Sequence, residues 1–351
     1  MKLIKTEHAV GWFLCHDITQ IIRGKTKGPV FRKGHRIEAE DIPVLLSVGK
    51  DHVYVRESDI GDEWDREGRM LHEDDAALIL YSLCRNQNLS RLPDIKEGKV
   101  EMIADCDGLL IIDEEAMFRV NSYGQMMIAS LHNYFPVRKG QHVAGMRIIP
   151  LQIERSKMEE IQSTVGDRPI FTLLPYRKKR VGLVITGNEV FYGRIQDRFT
   201  QVAEAKVRAF GAEVIAREVS SDDPVMEVSC IQKVLDAGAD LVLCTGGMSV
   251  DPDDRTPFAI RQLADRVVSY GSPVLPGAMF MLAYKGAQDE IAMMGLPGCV
   301  MYEKRTIFDL ILPRVMAGVR VEAEEIARMG VGGYCMHCDP CIFPNCAFGV
   351  F

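Results

Sequence analysis

Three short apolar runs, each ended by a glycine-bearing loop, constrain this 351-residue chain more than any other feature. Val181–Ile185 leads into Thr186-Gly187-Asn188-Glu189, and Leu241–Cys244 into Thr245-Gly246-Gly247-Met248-Ser249. Ile291–Met294 leads into Gly295-Leu296-Pro297-Gly298. Runs of four or five apolar residues bounded by turn signals read as buried strands of a parallel sheet. Glycine directly after such a strand lets backbone amides approach a ligand at the start of the next helix. Three such loops at one sheet edge would build a single anion-accepting crevice at the carboxyl ends of the strands. That arrangement predicts a phosphate-bearing ligand.

The surrounding pattern agrees. From Lys178 to about Gly318, strands and helices alternate. Strand Val181–Ile185 precedes a helix over Phe199–Phe210 that stops at Gly211, and strand Glu213–Ala216 follows. Ser221-Asp222-Asp223-Pro224 is an N-cap signature with proline in the first turn, opening a helix that runs to Asp236 and stops at Gly238. Then come strand Leu241–Cys244, helix Pro257–Ala264, strand Val267–Ser269, helix Ala278–Tyr284, strand Ile291–Met294 and helix Val300–Ile311. Such an array implies a parallel sheet with helices on both faces, an α/β three-layer domain. Smaller β-rich and α+β units precede it. The expected divisions are a β-rich unit over residues 1–60, an α+β unit over 61–175, the α/β domain over 176–320 and a Cys-rich tail over 321–351. Within the α+β unit the pattern predicts a helix over His72–Cys84, a hairpin joining Val100–Ala104 to Leu109–Asp113, a helix over Ser122–Leu131 and a strand at Met146–Ile149. Residues 56–72 read as a charged linker, and 152–175 give no clear pattern.

A net charge of −7 removes any global electrostatic case for nucleic acid or an anionic membrane. No apolar stretch approaches the roughly 20 residues a bilayer requires. The first residues, Met1 to His8, lack the apolar core of an export signal, so cytoplasmic residence is expected.

Residue types at the three loops suggest roles. Thr245, Gly246, Gly247 and Ser249 offer amides and hydroxyls suited to a terminal phosphate. Glu189 and the acids Asp251, Asp253 and Asp254 offer carboxylates at the crevice mouth, where Mg²⁺ finds the hard oxygen ligands it prefers. The bland alternative reads Thr186 and Ser221 as helix caps and Asp222 and Asp223 as favourable charges at a helix start.

Residues 178–318 resemble the molybdopterin-binding domain shared by molybdopterin adenylyltransferases and gephyrin-type molybdopterin molybdotransferases. The resemblance rests on Thr186-Gly187-Asn188-Glu189-Val190, Gly193-Arg194-Ile195-Gln196-Asp197, Thr245-Gly246-Gly247-Met248-Ser249-Val250 and Gly295-Leu296-Pro297-Gly298, in that order. It implies that Thr186, Gly187, Asn188, Thr245, Gly246, Gly247, Ser249, Gly295, Pro297 and Gly298 bind the pterin phosphate. It also implies that Asp254 fills the place of an essential acid after the Thr-Gly-Gly loop, and that Asp222 or Asp223 matches a second family aspartate. With Glu189, these would position Mg²⁺ and a nucleotide such as ATP.

Two departures stand out. Asn188 replaces an aspartate, and Cys299-Val300 replace Asn-Pro. The second-domain stretches of the molybdotransferases are absent from residues 1–175. A looser likeness to that family covers Lys33-Gly34-His35 and Gly49–Val55.

Four of the ten cysteines crowd the tail, Cys335, Cys338, Cys341 and Cys346, with spacing C-x₂-C-x₂-C-x₄-C. In a reducing compartment such density favours metal over disulfides, so an iron–sulfur cluster or a tetrahedral Zn²⁺ is expected. Cys15, Cys84, Cys106, Cys230, Cys244 and Cys299 are scattered, and most read as core residues.

The expected function is therefore molybdopterin binding in molybdenum-cofactor biosynthesis, with transfer of adenylate or handling of molybdate at the pterin. A non-catalytic carrier or sensor using the same crevice is the alternative. Amide hydrolysis on a pyridine nucleotide is a third possibility, suggested by a related domain. The resemblance also implies a homo-oligomer, a dimer or trimer.

Overall fold

The structure, a computed structural model, describes residues 1–351 apart from 23, 25, 58–67 and 253. Asp253 and residues 58–67 of the expected linker lie outside the described residues. The chain divides into two compact units: Met1–Asp105, Ile112–Leu131 and Gly140–Thr172 form one, and Cys106–Ile111, His132–Lys139 and Leu173–Phe351 form the other.

In the first unit, strand His52–Arg56 sits between Lys2–Lys5 and Phe13–Leu14, both antiparallel to it, and Ile18–Ile22 pairs with Thr26–Phe31. Ala9, Leu14, Ile18, Ile37, Leu45, Val53 and Val55 make a small core there. The same unit holds a four-stranded antiparallel sheet in the order Met126–Ser130, His142–Ile148, Val100–Ala104, Leu89–Arg91. Helix Glu73–Cys84 begins where expected. His72 caps it, accepting from the Asp74 amide at 3.2 Å, and three acids fill its first turn.

Several expected elements of this region are corrected. Val100–Ala104 and Gly108–Ile112 are strands but not partners: the first pairs with His142–Met146, and Gly108–Leu110 pairs with Phe135–Val137. The helix falls at Glu114–Ser122 instead of Ser122–Leu131, because Asp113 caps it by accepting from the Ala116 amide at 2.9 Å. Met126–Ser130 is strand. Residues 152–175 hold strand Gln152–Glu154, helix Arg155–Val165 and strand Phe171–Pro175.

The second unit carries a six-stranded sheet. Its strands are β1 (Arg180–Thr186), β2 (Glu213–Ser220), β3 (Leu241–Thr245), β4 (Arg266–Tyr270), β5 (Met281–Lys285) and β6 (Ile291–Leu296), in the spatial order β2-β1-β3-β6-β5-β4. β2, β1, β3 and β6 are mutually parallel, while β5 runs against both neighbours. The sheet is thus mixed at one side where an all-parallel sheet was expected.

The helices are α1 (Asn188–Phe191), α2 (Phe199–Arg208), α3 (Pro224–Asp236), α4 (Thr256–Leu263), α5 (Ile307–Met316) and α6 (Ala323–Arg328). Side-chain alternation along β3 shows the layering. Leu241 and Leu243 join α2 and α5 residues such as Val207 and Ile311 in one core, and Val242 and Cys244 join Ile231 and Ile260 of α3 and α4 in the other.

Two expected helices of this unit are also corrected. Ala278–Tyr284 is replaced by strand β5, whose Met281, Leu282, Ala283 and Tyr284 are all buried. A run apolar on both faces carries no period that separates strand from helix. Val300–Ile311 becomes a short 3-10 turn, Gly298–Met301, followed by α5, which starts later because Thr306 and Asp309 form a capping box.

Candidate functional site

β1, β3 and β6 end side by side, so their loops meet at one sheet edge. Thr186 at the end of β1 donates from Oγ1 to the Thr245 carbonyl at 3.1 Å, and the same oxygen lies 3.0 Å from Thr256 Oγ1 at the start of α4. The Thr256 amide donates to the Gly247 carbonyl at 3.2 Å. First and second loops are thereby tied together through buried hydroxyls. Gly246 has φ +93°, and any Cβ there would run into the Thr186 carbonyl oxygen. The second and third loops touch likewise: a Cβ on Gly295 would strike Met248 Sδ. Met248 is itself buried, and Tyr270 Oη donates to its carbonyl at 3.1 Å.

A cavity of about 630 Å³ opens at this junction. Of the candidate binding residues, Thr186, Glu189, Thr245 and Gly246 line it. The stretch Ile195 to Phe199 forms another wall, and Met301 brings in the turn after the third loop. Ser249, Gly295, Pro297 and Gly298 do not line it. Gly295 packs closely against Met248, the Ser249 carbonyl accepts from Tyr270 Oη at 3.3 Å, and the Pro297 carbonyl accepts from the Val300 amide at 3.0 Å. Thr245 Oγ1 is buried and has no hydrogen-bond partner among the described residues. Such an orphan is costly unless something completes it. Together with the bare backbone at Gly246, it fits a ligand oxygen.

The acidic residues divide by role. Asp223 is the N-cap of α3, with Oδ1 accepting from the Met226 amide at 2.8 Å. Asp222 Oδ2 accepts from the Asn188 amide at 3.0 Å, which pins the first loop to the start of α3. Asn188 Oδ1 accepts in turn from the Asp222 amide at 3.4 Å, a pairing a second carboxylate could also make. Gly187 completes the turn by donating to the Ser220 carbonyl at 3.2 Å. Asp254 Oδ2 accepts from the Asp251 amide at 3.2 Å within an exposed turn. Among the described residues, no three His, Cys, Asp or Glu side chains gather as a closed metal site.

Two residues that the sequence reading passed over belong to the site. Glu227 of α3 is fully buried, and neither carboxyl oxygen has a partner among the described residues. Desolvation first, then Asp222 and Asp223, push its pKa up to about 8, against a smaller opposing pull from Thr256. The signal was present: Glu227, Cys230, Ile231 and Val234 follow helical spacing, which puts Glu227 on the buried stripe. The other is Arg198, an exposed cation on the cavity wall, one residue past the stretch singled out in the sequence.

The tail cysteines are held at separate points. The Cys335 amide donates to the Leu275 carbonyl at 2.9 Å, Cys335 and Cys346 pack against the core shared by α2 and α5, and Cys341 meets Arg305. No three of them come together, so the described geometry does not form the expected cluster site. The isolated Cys15, Cys84, Cys230 and Cys244 are buried as expected of core thiols, whereas Cys106 and Cys299 are partly exposed. No helix of the described residues is long and apolar enough to cross a membrane.

Comparison with known proteins bears on this geometry. A family model described as "Probable molybdopterin binding domain" matches residues 182–317, and a domain of unknown function matches residues 3–57. A molybdopterin molybdenumtransferase from Synechococcus elongatus is 26% identical over 147 residues, covering 40% of this chain and 34% of that protein. A CinA-like protein from Mycobacterium tuberculosis is 30% identical over 87 residues, covering 25% of this chain and 20% of the relative. The chain thus spans about a fifth to a third of the length of these relatives. Among solved structures, the molybdopterin biosynthesis enzyme MoaB from Thermus thermophilus is 25% identical with a TM-score of 0.34, covering 40% of this chain and 97% of that one. The sequence match spans all three glycine-bearing loops, and residues 182–317 are similar to the molybdopterin-binding domain that the family model describes.

Proposed function

We propose that the crevice between the β1 and β3 loops binds the phosphate end of molybdopterin and supports transfer of an adenylyl group at that phosphate. The observation that carries this reading is the junction of Thr186, Thr245 and Gly246, which line one cavity together while the buried Thr245 hydroxyl has no partner among the described residues. Thr245 Oγ1 and the Gly246 and Gly247 amides would hold the phosphate, and Arg198 would offset its charge. The pterin ring would lie along the wall from Ile195 to Phe199. Asp254 and Glu189 are the residues that would hold a hydrated Mg²⁺. An ion that keeps several waters needs only one or two carboxylates, so the lack of a closed three-ligand set is compatible with it. Mg²⁺, when bound, would screen the nucleotide phosphates from these acids. The protein's own contribution would be alignment and charge neutralisation, with no covalent protein nucleophile.

A second reading is a molybdopterin carrier that performs no transfer. It is favoured by the structural engagement of Asp222 and Asp223, which takes two of the candidate acids out of the chemistry. Incubation of the protein with molybdopterin, ATP and Mg²⁺ separates the two. Release of pyrophosphate, lost in Asp254→Ala, supports transfer. Tight binding without release supports the carrier, and the absence of both removes the proposal.

A further inference from the structure

A second cavity, of about 900 Å³, lies at the other end of the same sheet. Tyr176 and Lys178, just before β1, and Gly211, just before β2, help line it, so it sits at the amino ends of the parallel strands. The three-loop crevice is at their carboxyl ends. The remaining wall comes from Asp107, residues 136–138, α2 and the two residues after it, Arg305, α5 and the tail residues Phe343 and Pro344.

The lining combines two chemistries. Tyr176 and Phe210 meet edge to face with centroids 4.8 Å apart, and Arg305 lies over the Phe343 ring at 4.9 Å. The cations Arg138, Lys178, Lys206 and Arg305 outnumber the carboxylates Asp107 and Asp309 two to one. Asp309 alone serves two of them, Lys206 at 2.6 Å and Arg305 at 2.8 Å, which leaves net positive charge at the cavity. Arg305 Nε and the Tyr176 hydroxyl are buried without hydrogen-bond partners among the described residues. Burial, with Asp107 adding to it, pushes the Tyr176 phenol up, so it stays a donor across the accessible pH range.

We infer that this cavity is a second ligand site, for a planar heteroaromatic molecule carrying phosphate. A bare phosphate would leave the aromatic wall unused, and a neutral ring would leave the excess positive charge and the orphaned Tyr176 hydroxyl and Arg305 Nε without a counterpart. A ligand with both parts satisfies them together, and about 900 Å³ is the size of pocket that small organic ligands and cofactors occupy. A purine nucleotide and a phosphorylated pterin share this chemistry.

The test is photolabelling of the full chain with 8-azidoadenosine triphosphate, followed by peptide mapping. Labelling is expected on peptides containing Tyr176, Phe210 or Phe343. Ala205→Trp, at an exposed α2 position that lines the cavity, should cut that labelling by about tenfold while leaving any label at the three-loop crevice unchanged. Protection by ATP assigns a purine nucleotide, and protection by 6-carboxypterin a pterin. Equal protection by inorganic triphosphate would make the site a plain anion patch and overturn the inference. So would labelling confined to peptides of residues 186–199 or 245–257, a result that would leave the crevice proposal standing. No labelling of the cavity peptides at all would also overturn it.

Discussion

Thr186 and Thr256, seventy positions apart, hold their hydroxyl oxygens 3.0 Å from each other in the buried floor of the crevice. The contact joins the end of the first parallel strand to the start of the helix that follows the Thr-Gly-Gly loop. Each residue then has a further tie: the Thr186 hydroxyl donates to the Thr245 carbonyl, and the Thr256 amide donates to the Gly247 carbonyl. The loop that would meet the phosphate is therefore fixed from below before any ligand arrives.

Replacing Thr186 with valine keeps the shape and deletes the hydroxyl. The Thr245 carbonyl and Thr256 hydroxyl then lose a partner in a buried place, at a cost of about 1–3 kcal/mol. Urea unfolding should show that loss, and molybdopterin affinity should fall with it. An unchanged midpoint would mean that the hydroxyl pair does not brace the loop.

Gly246→Ala attacks the same junction through the backbone. Alanine is strained at φ +93°, and its methyl would overlap the Thr186 carbonyl. The expected result is a loss of about 2 kcal/mol or more of stability together with loss of pterin binding. Wild-type binding by this variant would show that the two loops are not in the described contact.

Asp223 is expected to act as a cap and not as a catalytic acid. Asp223→Ala should cost about 1 kcal/mol, and Asp223→Asn, which keeps the accepting oxygen, should cost much less. Both should retain turnover when compared at a temperature where both are folded. Loss of turnover in the asparagine variant alone would return Asp223 to the reaction.

Glu227 makes stability fall as pH rises. Its folded pKa, about 8, lies above the ordinary carboxylate value of 4.5, so the folded state holds a proton that the unfolded state has released. The penalty is absent below about pH 4.5, grows between there and about pH 8, and is complete above that. Glu227→Gln removes it. The variant should gain roughly 5 kcal/mol over wild type at pH 9 and little at pH 4.5, read as unfolding free energy against pH. A difference independent of pH would show that the carboxyl is already ionised in the folded protein.

The α/β region was legible where the sequence carried punctuation. Ser221 to Pro224 opened α3, Gly211 and Gly238 closed helices, and the three glycine loops marked strand ends that do lie together. Legibility failed where burial removed the period. Met281–Tyr284 is apolar throughout, and nothing local distinguishes an antiparallel strand from a helix. It failed again where pairing is distant: Val100–Ala104 looks like half of a local hairpin, yet its partner is His142–Met146. Candidate site residues were found by type, but the division of labour among the aspartates was not. Only the amide partners of Asp222 and Asp223 separate scaffold from mouth. Glu227 was hidden because an acid on an apolar stripe is easily counted as a surface charge. The tail spacing suggested a thiolate cage that the separate anchors of Cys335, Cys341 and Cys346 do not assemble.

The central claim is that the Thr186, Thr245 and Gly246 junction receives a phosphorylated pterin. Calorimetric titration of molybdopterin into the wild-type protein, with Thr186→Val and Gly246→Ala in parallel, measures it directly. Saturable binding to the wild type, with one pterin per chain at the crevice, weakened in Thr186→Val and lost in Gly246→Ala, is the predicted result. No heat of binding to the wild type, or equal affinity in all three proteins, would contradict the account.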